Sequence, residues 1–203
     1  MNASPSASAI PRLRIESLNL GSAQALRMGG RSVLSAIGKR SVQGAVPLGR
    51  LGLAGDEQAD LNVHGGLEKA VYAYPLEHYA FWQAARRRHC ASLFDEDLPP
   101  GFMGENLTVR GLLEHEVFVG DRLHFPDCVL RISAPREPCY KFNAVMGFAQ
   151  AGRTMALERC CGYYLSVVQA GSLAADQQAW LEPGQRSLSI AAAIAGKFAK
   201  HAR

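Results

Sequence analysis

Apolar positions along the chain recur mostly in short alternating runs rather than at helical spacing. Leu13, Ile15, Leu18 and Leu20 predict a first strand in which the alternation slips once. Residues 32–37 and 45–53 read as further short strands separated by glycines. Residues 71–74 form a β-prone run that stops at Pro75, which is expected to open a helix carrying Leu76, Tyr79, Ala80 and Ala84 on one face and ending near His89. Its aromatic residues, including Phe81 and Trp82, read as core. Residues 95–101 read as a loop. Four more short strands are expected at 107–109, 117–119, 122–125 and 129–133, with turns at Gly111, Gly120-Asp121 and Pro126-Asp127. Residues 139–157 read as helical with breaks at Gly147 and Gly152, and 162–169 as a strand. Residues 187–200 read as an Ala-rich amphipathic helix capped by Ser187 or Ser189. Many short strands with glycine turns and a few helices imply a β-rich α+β fold built on a barrel or strongly bent sheet. Residues 1–11, small and polar, read as a disordered tail.

Composition narrows the function classes. The 203 residues suffice for one core without disulfide staples, and no apolar stretch is long enough to span a bilayer. A net charge of +4 is too mild for a dedicated nucleic-acid binder. The single dense basic run, Arg86-Arg87-Arg88, reads as a solvated helix end. Aromatic content of 8% offers little for stacking bases, so no nucleic-acid polymer is expected as partner. The mild positive excess suits an anionic small molecule. The five cysteines are irregularly spaced with no C-x-x-C pair, which argues against a zinc ribbon or thioredoxin-type site. The opening residues lack the basic start and apolar run of a secretory leader, so the reading is cytoplasmic, with reduced thiols and no membrane.

Chemistry gathers in three segments. Residues 52–60 set Asp56, Glu57, Gln58 and Asp60 near glycines, followed by His64-Gly65-Gly66 and Lys69. Such a loop can bring backbone N–H groups and side chains to an anion, or can be a solvated surface loop. Residues 104–107 (GENL) contain Glu105, a candidate acid–base group or an exposed carboxylate. In residues 133–141 a strand runs into two prolines and then Cys139, with Arg136 and Lys141 nearby. A helix start with cations close by favours a thiolate, which serves as a nucleophile or a soft metal ligand; the bland alternative is a buried structural cysteine. Vicinal Cys160-Cys161 reads as core. The remaining histidines fall into no H-x-x-x-H or H-E-x-x-H pattern, and nucleotide-binding glycine motifs are absent.

Together, in order and at suitable spacing, GDEQAD (55–60), HGG (64–66), GENL (104–107) and PREPCYK (135–141) resemble the MOSC domain, and most closely its small stand-alone bacterial, YiiM-like branch. The resemblance runs from about residue 12 to the chain end, divided as a MOSC domain over 12–186 and a short C-terminal helix over 187–203. It implies a β-barrel with several peripheral helices and a molybdenum cofactor (Mo-pyranopterin) whose metal is ligated by the cysteine of the P-C string, here Cys139. It implies reduction of N-hydroxylated compounds such as hydroxylaminopurines and amidoximes, with electrons from a separate reductase. Persulfide transfer on Cys139 without bound molybdenum is the alternative. On this reading Lys39, Lys69, Arg136 and Lys141 are candidates for the cofactor's phosphate and pterin. Asp56, Gln58 and Asn106 join the pocket wall, and His64 or Glu105 supplies a proton. A homodimer is among the assemblies it allows. Two departures stand out: the C-terminal tail is shorter than in many bacterial relatives, and the turn at Ala174-Ala175-Asp176 lacks an expected glycine.

Overall fold

A computed structural model describes residues 12–28, 30–58, 65–91 and 97–201. The first strand, β1 (Arg12–Leu20), buries Leu13 and Ile15, and its slipped alternation is a register shift between Ile15 and Ser17 against a neighbouring strand. Beyond this bulge Ser17, Leu18 and Asn19 are all buried, because the extra residue turns the strand's other face inward. A hairpin of β2 (Gln24–Met28) and β3 (Arg31–Ser35) follows as its own two-stranded ribbon, then β4 (Arg40–Ser41). The expected strand over 45–53 is instead a hairpin of β5 (Val46–Gly49) and β6 (Gly52–Leu53).

Pro75 is not the first helical residue: it ends β7 (Val71–Pro75) and stands as N-cap of a 3-10 turn, Leu76–His78, that leads into α1 (Tyr79–Arg88). The buried stripe of α1 is Tyr79, Trp82 and Ala85, while Ala80 is exposed. That phase is set by Trp82, which packs edge-on against Phe142 at 5.4 Å and donates its indole N–H to the Tyr74 hydroxyl at 2.5 Å. β8 (Leu107–Arg110), β9 (Arg122–His124) and β10 (Val129–Pro135) come next. The strand expected at 117–119 does not form: Phe118 makes only an isolated bridge to Ser189, since Asp121 takes the Phe118 N–H and turns the chain.

α2 (Tyr140–Met146) ends at Gly147, whose φ of 79° places it in the left-handed region that glycine tolerates best. Gly152 is not a second break; it lies inside α3 (Ala151–Leu157), where its N–H bonds the Asn143 side chain at 2.7 Å. β11 (Tyr163–Gln169), β12 (Gly171–Leu173) and β13 (Gln178–Glu182) follow. The chain closes with α4 (Ile190–His201), whose first turn is capped by the Ser189 hydroxyl accepting from Ala192 N–H at 3.2 Å.

Seven strands form a closed ring in the order β13-β9-β10-β11-β7-β8-β1, with β1 pairing back onto β13. All its pairs are antiparallel except β7 with β8, which the chain joins by the long crossover containing α1. Closure leaves the ring without edges. Its interior is filled by fully buried side chains such as Ile15, Leu107, Leu123, Ile132, Tyr163 and Leu165. β12, β5 and β6 form a small flanking sheet. Among the described residues no helix is long and apolar enough to cross a membrane.

Candidate functional site

The barrel and the hairpins beside it flank an open cleft of about 100 Å³. Tyr72 of β7 and Tyr164 of β11 line it from neighbouring strands, their rings 5.4 Å apart. Residues 35–37, Lys39, Asp56, Glu57, Gln58, Gly104 and Asn106 line it further. Arg136, Cys139 and Lys141 complete it. Gly104 has φ +86°, and a Cβ there would stand 2.8 Å from Ile37 Cγ1, so this wall closes only over a glycine.

Cys139 is the N-cap residue of α2, with extended backbone, and makes no side-chain cap bond. The prolines at 135 and 138 fix the approach from β10, and Phe142, buried one turn later, locks α2 against Trp82. The thiol is half-buried and lines the cleft. The other cysteines in the barrel are inert by comparison: burial pushes the thiols of Cys128 and Cys160 up to about 12, and that of Cys161 well above the usual range.

Arg136 is the most unusual group in the cleft. It is only 4% exposed, and among the described residues no carboxylate lies within ion-pair distance of its guanidinium. Its Nη1 donates to the Met155 sulfur at 3.3 Å, and its guanidinium carbon lies 4.8 Å from the Phe142 ring and 5.6 Å from that of Tyr72. Burial works against its charge, but Tyr72, Tyr164 and Cys139 outweigh that and raise its pKa, so it is a permanent buried cation.

The remaining expected residues divide into braces and lining groups. Asp56 accepts from Lys39 Nζ at 2.5 Å, from Gly21 N–H at 2.8 Å and, through its other oxygen, from Asn106 Nδ2 at 2.8 Å. Asn106 in turn accepts the Tyr72 N–H at 3.1 Å. This triad holds the cleft wall together while exposing one face to it. Gln58 donates to Leu51 O and accepts from Gly66 N–H, both at 3.4 Å. Lys69 Nζ lies 5.6 Å from the Tyr164 ring centre. Lys141 lines the cleft, but its ammonium donates to Leu34 O at 2.8 Å and so latches the β2–β3 hairpin to α2. One exposed hydrogen bond contributes about 0.5–1.5 kcal/mol. Lys141→Ala is therefore expected to speed amide exchange in residues 31–35 by about 2–10-fold, measured by hydrogen exchange, with the α2 amides unchanged. Unaltered hairpin exchange would show that the latch does nothing.

Glu105 departs from its expected role. It is fully buried and does not line the cleft. Its carboxylate accepts from Tyr79, from Thr108 at 2.7 Å, from Gly101 N–H at 2.8 Å and from Met103 N–H at 3.0 Å. Burial raises its pKa, with the Tyr79 and Thr108 hydrogen bonds opposing. The arrangement organises the 101–106 loop that carries Gly104 and Asn106. His64 lies outside the described residues. Eight of the expected residues (Lys39, Asp56, Gln58, Lys69, Asn106, Arg136, Cys139 and Lys141) thus share one cleft. The sequence reading missed Tyr72 and Tyr164, which it took only as strand formers, and the 35–37 segment. The i, i+2 pairing of Tyr72 with Tyr74 is the signal that two aromatic rings share one face of β7.

A closed seven-stranded barrel with a half-buried thiol and a buried guanidinium in a cleft at its side defines the class. The chain belongs to the MOSC domain family: the family's model matches residues 60–179. Within that family it is YiiM-like. It is 35% identical over 180 residues to the uncharacterized protein YflK of Bacillus subtilis, covering 88% of this chain and 78% of that one. It is 40% identical over 142 residues to protein YiiM of Escherichia coli, covering 70% of this chain and 61% of that protein. It is 32% identical over 145 residues to a reductase of Gibberella moniliformis, covering 71% of this chain but only 25% of the reductase. The crystal structure of YiiM from Geobacillus stearothermophilus superposes with a TM-score of 0.72 at 26% identity, covering 94% of this chain and 86% of that one. The matched segment holds Lys69, Asn106, Arg136, Cys139 and Lys141, whereas Lys39, Asp56 and Gln58 reach the cleft from before it.

Proposed function

We propose that the cleft holds a molybdenum–pyranopterin cofactor with Cys139 as the protein's ligand to the metal, and that the protein reduces N-hydroxylated compounds. The observation that carries this reading is the buried Arg136 guanidinium, with no carboxylate partner among the described residues, in the same cleft as the half-buried Cys139 thiol. A buried cation without an anion is costly, and an anionic ligand offsets that cost.

The donor set fits such a group. Among the described residues no three His, Cys, Asp or Glu side chains converge to hold a bare metal ion. A single soft thiolate suits a metal that arrives with its remaining ligands on its own organic frame. Four cations, Lys39, Lys69, Arg136 and Lys141, line the cleft against two carboxylates, Asp56 and Glu57; although Lys39 pairs with Asp56 and the Lys141 ammonium is turned to Leu34 O, the lining stays net positive, which favours a phosphate-bearing guest. When bound, the cofactor supplies two-electron chemistry. The overall change is R–NH–OH + 2 e⁻ + 2 H⁺ → R–NH₂ + H₂O, with the electrons delivered by a separate reductase. The residues of this chain do the rest. Arg136 neutralises the anionic guest. The Asp56–Lys39–Asn106 triad and the Glu105-anchored loop keep the wall in place. Tyr72 and Tyr164 shield the thiol side from bulk water. The similarity to a fungal reductase supports an oxidoreductase role.

The test is turnover. Loaded wild-type protein, with an artificial electron donor, should convert benzamidoxime to benzamidine, and Cys139→Ser should lose that conversion by at least about a hundredfold. Full activity in Cys139→Ser would remove the thiol from the mechanism. An inactive, metal-free wild type whose Cys139 carries a persulfide would replace this reading with sulfur transfer.

A further inference from the structure

A second concavity, of about 250 Å³, opens on the barrel wall beside the cleft. Arg50, Arg122 and Arg131 line it, with Glu68 as its sole carboxylate among the described residues. Arg131 is fixed in place: its Nη2 lies 2.8 Å from each Glu68 oxygen, and its Nε donates to Ser166 Oγ at 3.1 Å. Arg122 reaches Glu182 only at 3.7 Å and keeps 48% of its side chain exposed. Arg50 sits exposed on the β5–β6 turn, beside Leu51, which is 68% exposed. Leu67 and Val168, each 51% exposed, line the same concavity. Exposed aliphatic side chains set among arginines match the anatomy of a protein-binding patch. Among the described residues no aromatic one lines it, which disfavours nucleic acid.

Its position links it to the cleft. The 3-10 turn Leu67–Lys69 partitions the two: Leu67 and Glu68 line the groove, Lys69 the cleft. Along β11, Tyr164 lines the cleft and Ser166 the groove, two residues further on and about 7 Å away. A protein seated in the groove is therefore next to the site that must receive electrons.

We propose that this groove docks an acidic electron-carrier protein of the ferredoxin class, which feeds the cleft. The proposal rests on the reductase reading for its purpose but not for its geometry, and charge complementarity selects the partner. The test uses the full chain and the double variant Arg50→Glu/Arg122→Glu, in which both changed residues are exposed and lie outside the cleft. Calorimetric titration with an acidic [2Fe–2S] ferredoxin at low ionic strength is expected to show binding by the wild type that weakens steeply with salt. The variant should bind at least about tenfold more weakly. Ferredoxin-driven benzamidoxime reduction should fall in parallel, while reduction driven by reduced methyl viologen, which needs no docking surface, stays at the wild-type rate. No binding by the wild type, or equal binding by the variant, overturns the proposal. So does binding of an oligonucleotide, but not ferredoxin, that the same variant abolishes. If ferredoxin binding is lost as expected but viologen drives no reduction in the wild type, the docking surface stands and the reductase reading falls.

Discussion

Glu105→Ala is expected to lower the stability of the fold by about 2–6 kcal/mol, since two buried backbone N–H groups, those of Gly101 and Met103, each lose their acceptor at about 1–3 kcal/mol. The Tyr79 and Thr108 hydroxyls lose theirs too, although a hydroxyl can turn to another acceptor. Domains of this kind hold about 5–15 kcal/mol in all, so the variant should unfold at a much lower urea concentration. Glu105→Gln should also cost stability, because one carboxylate oxygen becomes an NH₂ group facing donors. The informative comparison is between stability and activity per folded molecule. A positioning role predicts unstable variants whose folded fraction still turns over substrate. A stable but inactive Glu105→Gln would restore the proton-supplying role expected from the sequence.

Arg136→Met is expected to do the reverse. The side chain of similar length fills the space beside Phe142 and Met155 without bringing a charge that needs a partner. Removing a buried guanidinium with no carboxylate partner among the described residues relieves a desolvation cost, against the loss of two ring contacts and the bond to Met155. The metal-free variant should therefore match or exceed the wild type in urea unfolding. Its affinity for the anionic cofactor should fall by about 10–100-fold, as expected for one charge-assisted hydrogen bond of about 1.5–3 kcal/mol. Metal content after identical expression and unfolding midpoints of the metal-free forms check both halves. Wild-type cofactor content in a destabilised Arg136→Met would mean that the guanidinium serves packing alone.

The sequence makes the barrel's long strands plain, because β1, β7, β10 and β11 each carry an apolar run that burial then uses. Even the slip in β1 is visible before its cause, a bulge, is known. Among the elements that escaped, β13 does alternate in burial, but its outward Trp180 is apolar too and hides the alternation; the others are not patterned by burial. β2 and β12 are short and largely half-exposed or exposed, and β4 is two exposed residues, so no alternation marks them. Trp82 and Phe142 fix the phase of α1 through a contact 60 residues apart in the chain, which local spacing cannot show. The candidate site was legible as a set of residue types, and eight of them meet in one cleft. Their division of labour was not. Whether a lysine lies over an aromatic ring of the cleft, as Lys69 does over Tyr164, or donates to a neighbouring carbonyl, as Lys141 does, depends on where a distant hairpin passes. Glu105 was read as an acid–base group or as an exposed carboxylate; it is buried, lies outside the cleft lining, and four donors converge on it.

The central claim is that Cys139 holds the metal of a cofactor bound in the cleft. The most direct measurement is molybdenum per chain in the wild type and in Cys139→Ala, both expressed in a host that makes the cofactor. The account predicts close to one molybdenum per wild-type chain and almost none in the variant, with both proteins folded. Equal molybdenum in the two, or none in either, would contradict it.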